Sequence, residues 1–184
     1  MPSRALRHWQ TRSRKVLDEF EAAHGRGAAR QQFAQAYVLA LCSQFQRFCR
    51  DLHSEAIDHL ADDPAFLALA PVLQAALGTS RRLDAGNPNP SNIGADFSKF
   101  GFPFWPQIHQ HDARNIVRQR RLEELNRWRN AIAHQDFRNS ALGGRETIRV
   151  GEVRAWRRTC GALAVDFDRV LGLYLKSLTG VRPW

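Results

Sequence analysis

The sequence contains no run of 18 or more apolar residues, which excludes a helix that spans a bilayer. No apolar segment follows the charged start MPSRALRHWQTRSRK, so a secretory signal is not expected. Cysteine is scarce: Cys42, Cys49 and Cys160. The first two fall seven residues apart on an expected helix, ~10 Å of rise and too far for a disulfide. An odd count without a spacing pattern points to reduced thiols and a cytoplasmic protein. No Cys/His spacing suggests zinc, and no cofactor is expected. Lysine is nearly absent too, at 3 of 27 basic residues, with arginine supplying the other 24.

What is present is charge of one sign and helical patterning. Against those 27 basic residues stand 18 acidic ones, a formal net charge of +9. A strong positive excess favours polyanionic partners, and the arginine fork matches two phosphate oxygens at once. The 184 residues, 43% of them apolar, suffice for one domain with one core.

Helical periodicity dominates. Leu6, Trp9, Val16, Leu17 and Phe20 form a stripe that stops near HGRG, residues 24–27. A longer helix is expected over about 28–61, where Phe33, Tyr37, Leu41, Phe45, Phe48, Leu52, Ala56 and Leu60 recur in steps of three or four. Asp63 and Pro64 read as the cap and first position of a short helix stopped at Gly78. Residues 79–106 are rich in Gly, Pro and Asn and read as a long inserted loop. Its Phe97, Phe100, Phe102, Phe104 and Trp105 either plug one end of a bundle or form a base-stacking platform. Asp112 caps a helix that runs to about His134. A polar turn through Gly143 and Gly144 follows, with a short extended piece at TIRV. The last helix, about 151–178, carries a seam of Val153, Trp156, Cys160, Leu163, Phe167, Val170 and Tyr174. The expected architecture is all-α: a single domain over 1–184, a bundle of four long helices with one short helix and the inserted loop.

The stretch LEELNRWRNAIAHQDF, residues 122–137, holds the candidate site. An Arg followed after four residues by a His carries no weight alone. With 24 Arg and seven His in 184 residues, chance gives on the order of one such pair. The surroundings matter more. On a wheel with Leu122 at 0°, Leu125, Trp128 and Ile132 fall between ~240° and ~300° and face the core. Asn130 near ~80° and His134 near ~120° share the opposite face, and Arg129 near ~340° stands at the margin of the apolar arc. Arg127, near ~140°, is closer to His134 on a straight helix, so either arginine could work with it.

The chemistry is coherent. RNA is cut without metal when its own 2′-OH attacks the adjacent phosphorus. A neutral His accepts the 2′ proton, or a protonated one supplies the proton of the 5′ leaving oxygen. Arg stabilises the charge that grows on the non-bridging oxygens. Asn130 orients the His or binds the phosphate. No acidic cluster accompanies these residues, which speaks against two-metal chemistry. The structural alternative is that Arg129 pairs with a bundle carboxylate and His134 sits favourably in a last helical turn.

The segment LNRWRNAIAHQDF resembles the signature of HEPN domains, small α-helical domains of prokaryotic defence and toxin–antitoxin systems. Their pattern is Arg, a polar residue often Asn, then His after four to six residues, at the end of a bundle helix. Here it falls on Arg129, Asn130 and His134, and the surroundings look most similar to the RiboL-PSP-HEPN branch. The detailed match covers about fifteen residues, and the long loop departs from it. The resemblance implies a homodimer with two motifs facing one cleft, metal-independent endoribonuclease activity, and an antitoxin protein as a further partner. Expected RNA contacts are Arg121, Asn126 and Arg127; Arg154, Arg157 and Arg158 are a solvated basic face or further contacts. The alternatives are a catalytically inactive module that binds nucleic acid or nucleotide, and a helical scaffold for a protein partner.

Overall fold

The computed structural model describes residues 1–22, 29–138 and 142–184. Among them every regular element is helical, in an all-α bundle built around α3 (Ala29–Ala61). The first strand of helix is α1 (Arg4–His8), a π-helical turn (Trp9–Ser13) and α2 (Arg14–Ala22). Ser3 starts it by accepting the Leu6 amide on its hydroxyl at 3.0 Å. The stop expected at 24–27 lies outside the described residues. α3 follows the expected stripe: Tyr37, Leu41, Phe45, Phe48, Leu52, Ala56 and Leu60 are buried, while Phe33 is half-buried; Val38 and Cys49 are buried with them. It packs against α1, α4 (Ala70–Gly78), α8 (Arg114–His134) and α9 (Val150–Thr179).

α8 and α9 match the expected spans. Asp112 stands one residue before the α8 cap, which is Ala113, and its carboxylate accepts the Arg114 amide at 2.9 Å in the turn that leads into the helix. Glu152 accepts the Arg149 amide at 2.8 Å at the start of α9. Two local readings change. Asp63 and Pro64 do not open α4. Asp63 accepts the Ala65 amide in a turn, and a 3₁₀ turn (Leu67–Leu69) precedes the helix at Ala70. TIRV contributes no strand; its Val150 is already the first residue of α9.

The inserted segment 79–106 is more ordered than its composition suggests. It contains α5 (Arg82–Ala85), α6 (Pro90–Ser98) and the start of α7 (Phe104–His111). Asn89 caps α6 by accepting the Asn92 amide at 2.8 Å, with Pro90 at the first helical position. The buried Asp96 carboxylate caps α5, taking the Arg82 and Leu83 amides at 2.9 Å each. Gly94 is not a breaker: a Cβ there would stand 2.8 Å from the Trp105 ring. The segment's aromatics run into the core. Phe97 stacks on Phe104 at 4.6 Å, and Phe104 meets Phe167 of α9 edge-on at 4.9 Å. Phe97, Phe100, Phe102 and Phe104 are all buried, and the half-buried Trp105 packs edge-on to Phe167 at 5.5 Å and donates to the Pro90 carbonyl at 2.7 Å, so the five aromatics plug the bundle.

Candidate functional site

α8 places the site. Leu122, Leu125, Trp128 and Ile132 are buried as the wheel requires, and Asn126 and Ala131 widen the buried arc on either side. The helix ends immediately after the motif, where Gln135 adopts the left-handed conformation at φ 53°. The Asp136 amide then reaches back to the Ala131 carbonyl at 3.0 Å. His134 is therefore the last helical residue, and its side chain is exposed.

Arg129 is half-buried. Its guanidinium donates to Asn130 Oδ1 at 3.3 Å, and no carboxylate among the described residues lies within 4.0 Å of it. Its charge is felt by Cys42 of α3, whose thiol burial pushes up to about 12 while Arg129 pulls the other way. The contrast with the other half-buried arginines is sharp. Arg81 pairs with Asp84, Arg118 with Asp112 and Asp166, and Arg157 with Asp18 and Glu21. Taking an arginine out of water without a carboxylate is costly, and here a single neutral amide partly offsets that cost. The bundle-carboxylate alternative for Arg129 does not hold among the described residues.

Asn130 has a second donor that the sequence did not point to. Asn87 Nδ2 hydrogen-bonds the same Oδ1. Asn87 stands in GNPNP, between α5 and α6, and this region is fastened to α6 and to α3. Asn92 donates to the Asn87 carbonyl at 2.9 Å, and Gln46 of α3 donates to the Leu83 and Gly86 carbonyls at 2.6 and 2.7 Å. With Oδ1 held by two donors, Asn130 keeps its own amide hydrogens for a ligand.

Asn126 does not reach the surface. It is 2% exposed, and its Nδ2 donates to the Pro88 carbonyl at 3.1 Å and the Leu122 carbonyl at 2.9 Å. It fastens the Asn87 loop to α8; the reading of it as an RNA contact is corrected accordingly. Arg121 and Arg127 are exposed. Arg127 lies 4.0 Å from Glu123, one turn back along α8. Arg129 and His134 share no hydrogen bond within the chain.

The basic face on α9 is largely consumed by packing. Arg157 donates to Glu21 at 2.7 Å and to the Tyr37 hydroxyl at 3.3 Å, and Arg154 pairs with Glu21 at 2.6 Å. These contacts tie α9 to α2 and leave Arg158 exposed. The three cysteines are buried and free. No group of three His, Cys, Asp or Glu among the described residues could hold a metal ion. No helix among them is long and apolar enough to cross a membrane. Comparison with family models, with curated proteins and with solved structures finds no match to this chain in any of the three.

Proposed function

We propose that the chain is a metal-independent endoribonuclease of HEPN type, acting as a toxin or defence effector, with Arg129, Asn130 and His134 as its working residues. One observation carries this reading: Arg129 is the only half-buried arginine among the described residues that no carboxylate neutralises. A guanidinium held this way, and oriented by Asn130 at 3.3 Å, is poised for an anion that the protein itself does not supply. His134, exposed at the helix end, is open to substrate.

In the reaction, the ribose 2′-oxygen attacks the adjacent phosphorus and the bond to the 5′-oxygen breaks, leaving a 2′,3′-cyclic phosphate. His134 takes the 2′ proton or supplies the proton of the leaving oxygen. Arg129 binds the non-bridging oxygens as their charge grows, and Asn130 donates to the same phosphate. Arg121 and Arg127 meet the flanking backbone. Because Arg129 and His134 do not touch within one chain, the reading includes a homodimer whose two α8 ends share a cleft. An antitoxin protein would act by covering that cleft.

The test is cleavage of RNA by purified protein in EDTA, beside Arg129→Ala and His134→Ala of verified fold and mass. The expected result is cutting by wild type, cyclic ends, and a loss of at least 10²-fold in both variants. Uncut RNA, or variants as active as wild type, would refute the enzyme and leave the binding module as the reading.

A further inference from the structure

A second basic feature lies beside the Asn87 loop and is not used by the site. Along the outward side of α3, Ser43, Gln46, Arg47, Arg50 and Ser54, with Arg81 opposite, line an open groove of about 430 Å³. From Ser43 to Ser54 the helix rises ~16 Å. Arg47 and Arg50 expose 58% and 46% of their side chains. Arg81 forms the inner wall: it is 14% exposed and donates to Ser54 at 2.8 Å. Arg81 and Arg50 converge on the Asp84 carboxylate, at 3.0 Å and 2.8 Å, so two cations share one counter-charge there. Asp51, 3.5 Å from Arg47, is the one carboxylate in the lining. Burial holds the pKa of the neighbouring His8 below its ordinary value, with Arg47 and Arg12 acting in the same direction and Asp51 against them.

The groove and the site are joined by one residue of backbone. Gln46 lines the groove and holds the Gly86 carbonyl at 2.7 Å. The next residue, Asn87, bonds Asn130.

We infer that this groove binds the phosphodiester backbone of the RNA strand that flanks the scissile phosphate, with Arg47 and Arg50 as its contacts and Arg81 as the ordered wall behind them. Beside the Asp51 carboxylate and the Gln46 amide, the lining offers three arginines and two serine hydroxyls and no aromatic side chain, a set that suits phosphate and ribose and does not read bases. The inference rests on the reading of the chain as an RNA-binding enzyme, but its test does not need cleavage.

The experiment is fluorescence anisotropy with a labelled single-stranded oligouridylate across a salt series in EDTA, using His134→Ala protein so that the probe stays intact. Added to that background, Arg47→Gln/Arg50→Gln removes two phosphate contacts. The slope of log affinity against log salt should then fall by about 1.4, two contacts at about 0.7 each. Arg169→Gln/Arg182→Gln, on the exposed side of α9 and the C-terminus, should leave the slope unchanged. Asp51→Asn should tighten binding, a gain that misfolding cannot produce. An unchanged slope in the Arg47/Arg50 variant, an equal fall in the control, or weaker binding by Asp51→Asn would overturn the groove. If wild type proves inactive but these shifts are found, the enzyme reading fails and the groove stands. If wild type cleaves and the shifts are absent, the reverse holds.

Discussion

His53 shows how much one buried side chain can set. It is fully buried on α3, between Phe97 at 5.3 Å and Phe100 at 4.8 Å. Nε2 meets the Asp96 carbonyl at 3.1 Å, and Nδ1 has no partner among the described residues. Burial holds its pKa down to about 4, from 6.5. The fold therefore favours the neutral ring. Its stabilising contribution is complete above pH 6.5 and is lost as pH falls from there towards 4, on the order of 3 kcal/mol in all. His53→Phe should flatten the stability–pH curve over that window; urea midpoints at pH 7 and pH 4.5 would show it. At the same scale, Asn87→Ala should lower cleavage about tenfold, a loss of ~1.4 kcal/mol, while the melting temperature stays near wild type. Single-turnover rates beside thermal melts separate the two effects. Asn130 and His134 were legible in the sequence because an apolar stripe fixes which face of α8 is wet. Asn87 was not, because its role comes from a contact across 43 residues that no local pattern encodes.

Among elements, α6 is the instructive one. Its start was written in the sequence as Asn89-Pro90, a cap followed by a first-turn proline. The surrounding Gly and Pro outweighed that signal, and 79–106 read as loop. What makes it helical is tertiary: Phe97 is fully buried against Phe104, His53 and Phe167. Phe97→Ala should cost about 3–5 kcal/mol, read as a drop in urea midpoint, and should expose the Asn87 loop to hydrogen exchange. A cost below about 1 kcal/mol would mean that α6 is held by its polar ties alone. The long helices α3, α8 and α9 were legible to within a residue or two, because each buries a stripe too long to arise from local chemistry.

At the scale of the whole molecule, residues from α1 through α9, those of α5 to α7 included, share a single apolar cluster. One core predicts one transition. Far-UV circular dichroism and tryptophan fluorescence should coincide in urea, since Trp9, Trp105, Trp128, Trp156 and Trp184 sample separate parts of the chain. An earlier transition seen by one probe would divide the inserted segment from the bundle. The unpaired Arg129 bears on the stability of that whole core. Among the described residues this half-buried cation has no counter-charge, which costs stability; on the proposed reading the position trades stability for function. Arg129→Leu should melt at a higher temperature than wild type while losing all cleavage. Inorganic phosphate should raise the melting point of wild type, by mass action on the folded state, and leave that of the leucine variant unchanged.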